Sequence, residues 1–321
     1  MKKLFVEDLK VGDSVFGELF AVKAYKKTAT RNNRPYIDIT LADKTGLIKG
    51  KIWSDDMKNC EAVEEADIVS VSATIEEFNG LQLRVTNLSK VEKYEPDDFM
   101  ATSNFDIEEM WKDIDQYRTK IKNNHLKKLL DNIFDDEFTK KYKESAAAFV
   151  VHHAYRGGIQ EHVLDMLAMA DGVLKRYPKL NADLLITGII VHDIGKVFDY
   201  DTGTTITMTF EGRLLGHIFM GAEYVKSHAP KNMPQDLLDE VLHMILSHHG
   251  TLEFGSPVPP KTAEAVALSY LDYASFKINP AYNTIQKSEE GIQFTEYNRH
   301  LGVEFYRSPY LDGLTNEDIP F

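Results

Sequence analysis

A histidine and an aspartate stand side by side at positions 192 and 193, directly after a mostly apolar run from Leu184 to Val191. The run predicts a buried helix, and adjacent positions of a helix differ by only about 100° around its axis. An imidazole nitrogen and a carboxylate oxygen at the polar end of that helix can therefore reach one divalent cation. The pair predicts a metal site.

Other residues of ligand type occur before and after this pair, so that the chain reads H, HD, H, HH, D. A single histidine on an apolar helix is more often a packing residue than a metal ligand. A packing role would not explain why all of these histidines and aspartates occur in this order, on or beside predicted helices. We therefore predict that the metal ligands are His162, His192, Asp193, His217, His248, His249 and Asp272.

This order resembles the HD-domain metal-dependent phosphohydrolases, and the extra histidines before the last aspartate are typical of members that bind two metals. The resemblance implies two divalent cations, with Asp193 placed between them. Mixed imidazole and carboxylate ligation suits Mn²⁺, which we expect, with Fe²⁺, Co²⁺ and Mg²⁺ as alternatives. Two such cations acidify a water molecule, so that hydroxide attacks a phosphodiester whose oxygens they also neutralise.

Length and composition limit what else the chain contains. Its 321 residues predict two domains, and its longest apolar stretch is too short to span a bilayer. The first residues lack the apolar core of a signal peptide, and the one cysteine, Cys60, excludes an intramolecular disulfide framework. We expect a cytoplasmic protein with no membrane partner, and a homo-oligomer is compatible with these features.

The first 91 residues are rich in short alternating segments. Polar turns separate five predicted strands, which favours a small barrel, and the phrase from Tyr36 to Trp53 resembles the strand-turn-strand of OB-fold nucleic-acid-binding domains. The predicted strands cover residues 14–23, 36–41, 47–53, 68–75 and 81–88. We assign residues 1–91 to an OB-fold domain.

The charge of this segment differs from that of the whole chain. The chain has a net charge of −13, yet residues 1–90 contain 14 basic and 14 acidic residues, and no acid occurs between Leu19 and Ile37. Basic groups interleaved with aromatic rings are typical of surfaces that bind single strands, although a solvated loop explains any one of them equally well. The predicted nucleic-acid contacts are Lys23, Lys26, Lys27, Arg31, Arg34, Tyr36, Lys49, Lys51 and Trp53, with Phe78 as a further stacking candidate.

The remainder is predicted to be helical. We assign residues 92–106 to a linker, 107–142 to a helical connector, 143–300 to an HD domain and 301–321 to a C-terminal tail. Alternating residues between Phe198 and Phe210 predict a hairpin inserted among the helices. The expected fold class is α+β multidomain: an OB-fold-like β-barrel followed by an all-α HD-domain bundle with a small inserted hairpin.

The segments His153 to His162, His192 to Lys196 and Leu214 to Ile218, after an OB-like module, resemble the YhaM-type 3′-to-5′ exoribonucleases. The resemblance covers residues 1 to about 300 and implies trimming of single-stranded RNA, and of single-stranded DNA as a further candidate, to nucleoside 5′-monophosphates. The family pattern His-x-x-Asp-x-x-Asp at the last ligand is here Ser269, Asp272 and Ser275.

Three residues near the ligands are candidates for substrate contact. Lys196 is a candidate phosphate clamp and Arg156 a weaker one, each weighed against a solvated or ion-paired cation. His153 is a candidate substrate contact, whereas its neighbour His152 is expected to be structural. With Asp193, these residues form the predicted catalytic set.

Two alternatives to the nuclease use the same residues. An HD-type hydrolase of small nucleotides or dinucleotides would use the same metals, but the barrel and its basic hairpin disfavour it. A nucleic-acid-binding regulator with impaired catalysis would be consistent with Ser269 and Ser275, but the intact set of ligands disfavours it.

Overall fold

The computed structural model describes residues 2–30, 32–78, 80–149, 153–203, 205–289, 291–298 and 301–310. Arg31 and His152, together with residues 311–321 of the predicted tail, lie outside this part of the chain. The described residues form an N-terminal β-barrel and a helical domain with a two-stranded hairpin, so the predicted fold class is confirmed.

The barrel has five strands, closed in the order β1-β2-β3-β5-β4, with β3 and β5 parallel and the other neighbours antiparallel. Alternate side chains such as Ile37, Ile39 and Leu41 are buried inside it, as the period of a strand requires. The strands are β1 (Ser14–Ala29), β2 (Pro35–Asp43), β3 (Gly46–Trp53), β4 (Ile68–Glu77) and β5 (Leu81–Lys90).

The helical domain surrounds one large apolar core. Helices of the predicted connector and of the predicted HD domain contribute to the same core, for example Leu129 and Leu185. The elements are α1 (Ile107–Lys120), α2 (Asn124–Ile133), α3 (Asp136–Glu144), α4 (Gly158–Arg176), α5 (Ala182–Val191), α6 (Lys196–Asp199), β6 (Tyr200–Thr202), β7 (Ile206–Met208), α7 (Phe210–Leu215), α8 (His217–Ser227), α9 (Gln235–Ser247) and α10 (Ala263–Gln286). None of the described helices is long and apolar enough to cross a bilayer.

Lys23 lies between the barrel and the helical domain, and not on the surface where the sequence placed it. Its ammonium donates to the carbonyl oxygen of Ile206 and lies 3.4 Å from the hydroxyl of Thr205 and 4.2 Å from the centre of the Phe149 ring. A β-bulge between Val22 and Ala24 makes Lys23 the extra residue of β1, and this residue is only 8% exposed. Lys23 therefore joins the two domains and is not available to bind a nucleic acid.

The linker runs along the start of α4. Arg156 donates its amide hydrogen to the Ala101 carbonyl at 2.9 Å and accepts one from Ser103 at 2.9 Å. The Ser103 hydroxyl then donates to the Glu161 carboxylate at 2.6 Å. These bonds hold residues 101–103 against the helix that carries His162.

Candidate metal centre

Two ligands lie where α5 ends. Residues 184 to 191 are all buried, and the amide of His192 donates to the Gly188 carbonyl at 2.8 Å, so the helix continues through His192 before the chain turns. His192 and Asp193 are 0% and 2% exposed, which brings both side chains into the centre of the domain. The position predicted from the apolar run is the one that the structure shows.

The two oxygens of Asp193 face different groups of histidines. On one side, Oδ2 is 3.4 Å from His192 Nε2 and 3.8 Å from His162 Nε2, and Asp272 Oδ1 is 3.2 Å from the same His162 nitrogen. We call His162, His192, Asp272 and this oxygen site 1. A carboxylate between two groups of imidazoles can bind one cation on each side.

On the other side, Asp193 Oδ1 lies 3.5 Å from both His217 Nε2 and His248 Nε2. His217, His248 and His249 offer ligand atoms that all lie within 4.8 Å of one another. We call these three histidines and Asp193 Oδ1 site 2. The structure thus brings together all seven residues that the sequence predicted as ligands, in two groups that share Asp193.

Outer contacts orient the imidazoles of both sites. The Nδ1 hydrogens of His192 and His248 donate to the carbonyls of Ile189 at 2.8 Å and Ile245 at 2.7 Å, which leaves each Nε2 directed towards Asp193. Such bonds fix the tautomer that binds a metal. Around site 2, His217 Nδ1 also lies 3.6 Å from the buried carboxylate of Asp199.

Ser275 orients His162. It is one of the two serines that stand where the family pattern has a histidine or an aspartate. The His162 Nδ1 and Ser275 Oγ atoms are 2.9 Å apart, and the Ser275 hydroxyl donates to Asp165 Oδ2 at 3.4 Å. Ser269, by contrast, donates to the Val266 carbonyl of its own helix at 3.0 Å. Ser275 and Asp165 therefore support His162, and no local pattern in the sequence indicates Asp165.

The ionisation of most of these groups fits cation binding; the exception is His192, whose pKa burial alone would lower but which the charge of Asp193 raises. Burial lowers the pKa of His162 and His217 and lowers that of His249 to about 3, so these imidazoles are neutral near pH 7. Burial alone would raise the pKa of Asp193, but the charge of Lys196 and the contact with His192 hold it well below its ordinary value. Neutral imidazoles and ionised carboxylates are the forms that bind metals.

Several buried ligand atoms lack a hydrogen-bond partner among the described residues. They are Asp193 Oδ1, His217 Nε2, His248 Nε2 and His249 Nδ1, all of site 2. Buried polar atoms without a partner are costly, and a cation would satisfy these atoms together. The donor set therefore fits a divalent metal ion.

The other predicted catalytic residues lie at different distances from this centre. Lys196 Nζ is 2.5 Å from Asp193 Oδ2, and the His153 ring is buried with its centre 5.4 Å from that of His162. Arg156 instead lies at the linker, with its guanidinium 3.7 Å from Asp97. Lys196 and His153 thus adjoin the ligands, whereas the described contacts of Arg156 are with residues 97–103.

The barrel carries a cluster of rings and cations on its outer face. The rings of Tyr36 and Trp53 are 5.4 Å apart, and the Lys51 ammonium lies 5.2, 5.6 and 5.3 Å from the centres of the Tyr36, Trp53 and Phe78 rings. Arg84 is exposed beside Lys51 in register, and the sequence analysis missed it because the parallel β3–β5 pairing is not local. We call Tyr36, Lys51, Trp53, Phe78 and Arg84 the barrel patch.

The remaining predicted contacts surround the barrel patch. Lys26, Lys27 and Lys49 are exposed, and Arg34 pairs with Asp55 at 2.7 Å. Lys23 is the one described member of the predicted set that is buried.

Two of the crevices along the helical domain adjoin the β6–β7 hairpin. One, of about 910 Å³, lies between α3, α6 and α8 and is lined by none of the predicted ligands. The other, of about 390 Å³, is lined by Lys44 and Thr45 of the barrel and by His153, Tyr155 and Asn279 of the helical domain. We call the second the smaller crevice; it lies between the two domains, and its lining includes His153, whose ring is beside that of His162.

Comparison with known proteins matches two separate parts of the chain to two families. Residues 14–91 match the OB-fold nucleic acid binding domain family, and residues 159–276 match the HD domain family. The chain is 32% identical over 314 residues to "3′-5′ exoribonuclease YhaM" of Geobacillus sp. (strain WCH70), an alignment that covers 96% of each chain. Proteins of the same name from Listeria welshimeri and Bacillus subtilis are 33% and 32% identical, over 90% and 89% of this chain and 93% and 92% of theirs.

Proposed function

The chain belongs to the YhaM family of 3′-5′ exoribonucleases, and from that membership we propose that it shortens single-stranded RNA from the 3′ end in a reaction that depends on two divalent cations. The products are nucleoside 5′-monophosphates, and Mn²⁺ is the expected metal. Single-stranded DNA is a second substrate to be tested, because nothing in the two sites depends on a 2′-hydroxyl.

The observation that carries the proposal is the position of Asp193 between two groups of imidazoles. Each of its oxygens lies 3.4 to 3.5 Å from imidazole nitrogens of a different site. Cations at such sites acidify water and offset charge on phosphoryl oxygens during in-line attack. Asp193 and Asp272 are held ionised by their surroundings, so the protein supplies the negative charge that retains these ions.

Lys196 is proposed to bind a phosphate oxygen of the substrate. Its ammonium is within hydrogen-bond distance of Asp193, and the charge of Asp193 raises its pKa against the effect of burial. It is therefore a permanent cation at the centre and can stabilise the charge that develops on the phosphoryl group.

The barrel is proposed to hold the part of the strand that is upstream of the scissile bond. The Tyr36–Trp53 pair is at one end of the β2–β3 hairpin, and the turn from Asp43 to Gly46 is at the other, beside the smaller crevice. Seven residues of extended strand separate Tyr36 from Asp43, which is about 23 Å. A strand bound to the barrel patch must therefore extend along the hairpin to reach the helical domain.

Incubation of the protein with 5′-labelled single-stranded RNA and DNA, with Mn²⁺ or with a chelator, tests the proposal. We expect a ladder of progressively shorter products with Mn²⁺ alone. Asp193→Asn should abolish the ladder but retain RNA binding, whereas Asp201→Asn, the same change at an exposed strand residue, should leave both unchanged. Shortening by Asp193→Asn at the wild-type rate would contradict the proposal, and a binding shift without shortening by the wild type would favour a regulator.

A further inference from the structure

Three aromatic side chains lie side by side on the surface next to the metal centre. The rings of Phe254 and Tyr273 have centres 6.4 Å apart and planes at 17°, and those of Tyr273 and Phe276 are 6.4 Å apart at 27°. Phe254 is 58% and Tyr273 48% exposed, so neither ring is accounted for by packing in the core. We call Phe254, Tyr273 and Phe276 the aromatic row.

The aromatic row lies next to ligands of both metal sites. Tyr273 directly follows Asp272 on α10, and the face of that helix with Asp272 and Ser275 is turned towards His162. Phe254 ends a short 3-10 helix, Leu252–Phe254, and the next residue, Gly255, would place a Cβ only 3.8 Å from His249 Nδ1. The row is therefore at the edge of the centre and not at a remote surface.

Local backbone structure fixes the direction of Phe254. Thr251 caps the 3-10 helix with its hydroxyl, and Gly255 ends it with a φ of +98°, a conformation that a residue with a side chain rarely adopts. An exposed phenylalanine held between two such residues has lost much of its freedom before any ligand binds. Preorganisation of this kind favours binding, because less entropy is lost on association.

A cation accompanies the rings. The Lys277 ammonium lies 5.5 Å from the centre of the Tyr273 ring and 5.1 Å from that of Phe276. Rings that stack with bases beside a lysine that can contact phosphate are the combination that binds single-stranded nucleic acids without regard to sequence.

We propose that the aromatic row is a platform on which bases at the 3′ end of the single strand stack, with Lys277 at an adjacent phosphate. The platform rests on the proposed function, because it positions the strand whose terminal linkage is cleaved. Stacking on a ring is available to every base, so the platform holds successive 3′ ends of any sequence. The aromatic row is distinct from the barrel patch, which lies on the other domain.

The test measures stacking in the full-length protein without cleavage. RNA with the fluorescent base 2-aminopurine at its 3′ end is titrated with protein in chelator, and a second RNA has the same base at its 5′ end. We expect quenching of the 3′ base by the wild type, and its loss together with about fivefold to hundredfold weaker binding in Phe254→Ala and Tyr273→Ala. Tyr273→Phe should restore the quenching, because it restores the ring.

Tyr177→Ala is the matched control, since Tyr177 is 59% exposed and lies 15 residues, or about 22 Å, along α4 from His162. It should bind and quench as the wild type does. Wild-type quenching in Tyr273→Ala and Phe254→Ala, or equal responses of the 3′ and 5′ labels, would overturn the platform. Folding of each variant is checked by circular dichroism and by its Mn²⁺ content.

Turnover separates failure of the platform from failure of the proposed function. With Mn²⁺, Tyr273→Ala should lower kcat/KM for RNA with an intact 3′ base, but not for RNA whose last nucleotide is abasic. If the wild type does not shorten RNA, the proposed function fails. If the wild type shortens RNA and Tyr273→Ala has the kcat/KM of the wild type on both substrates, the nuclease stands and the platform is wrong.

Discussion

Substitution of Gly195 by alanine should remove site 2 while leaving site 1 in place. Gly195 directly precedes α6 and packs against the start of α8, where a Cβ would collide with the His217 carbonyl oxygen and lie 2.7 Å from the Gly221 nitrogen. Ordinary contacts begin at 3.4 Å, so the Gly221 nitrogen alone requires the backbones to separate by about 0.7 Å, and the His217 oxygen requires more. Metal-ligand distances tolerate changes of only about 0.2 Å.

That separation acts on site 2 because His217 is the first residue of α8. The ligands of site 1 on α4, at the end of α5 and on α10 do not contact Gly195 in this way. Forcing a methyl group into such a contact costs about 1–3 kcal/mol of unfolding free energy. We therefore expect Gly195→Ala to melt at a lower temperature and to bind about one Mn²⁺ where the wild type binds about two.

Manganese content after dialysis, titration calorimetry and thermal melts in chelator measure these effects. Gly172→Ala is the matched control, because a Cβ at this exposed position of α4 meets no atom within 4 Å. Alanine there should stabilise the helix by about 0.5–1 kcal/mol and leave metal binding unchanged. If Gly195→Ala binds two cations with the affinity of the wild type, the claim that the close approach of α6 and α8 positions His217 as a ligand of site 2 is refuted.

Three further changes test single contacts. Ser275→Ala removes the bond to His162 and should weaken Mn²⁺ binding about 10- to 100-fold in a titration, whereas Ser269→Ala, which removes a bond within one helix, should not. Burial lowers the pKa of Lys23 from 10.5 to about 8, so the unfolded chain binds more protons between these values. The wild type should therefore become more stable to heat as the pH rises from 8 to 10.5. Lys23→Met lacks this ionisable group, so this rise in stability should be absent from it. Trp53→Ala should weaken binding of long RNA by about 1–3 kcal/mol in anisotropy titrations but leave dinucleotide cleavage unchanged.

The position of the His192-Asp193 pair could be predicted from the sequence because the pair lies where a local pattern changes. His192 and Asp193 follow a buried helix, and a residue at such a boundary is placed by that helix alone. Strand alternation predicted the barrel in the same way, since Lys49 and Lys51 point outwards between buried neighbours. In both cases the prediction depends only on the pattern of a few consecutive residues.

Contacts between distant segments could not be predicted. Asp165 supports His162 through Ser275, a residue 110 positions later, and no spacing in the sequence connects the two. Lys23 was predicted to contact nucleic acid, but it packs against Thr205 and Ile206, 182 and 183 positions later, and no local pattern signals that contact. Arg84 reaches the barrel patch only because the barrel closes between β3 and β5.

The distribution of charge connects the two domains. The excess of 13 acidic residues lies entirely after residue 90, so the helical domain by itself repels a polyanion. The carboxylates of Asp193 and Asp272 stay ionised, so cations bound beside them would be needed to reverse the sign of the potential at the centre. Under the proposed function, capture of the strand by the barrel and attraction of its 3′ end to the centre would be separate steps, and the proposed platform beside Asp272 would act in the second.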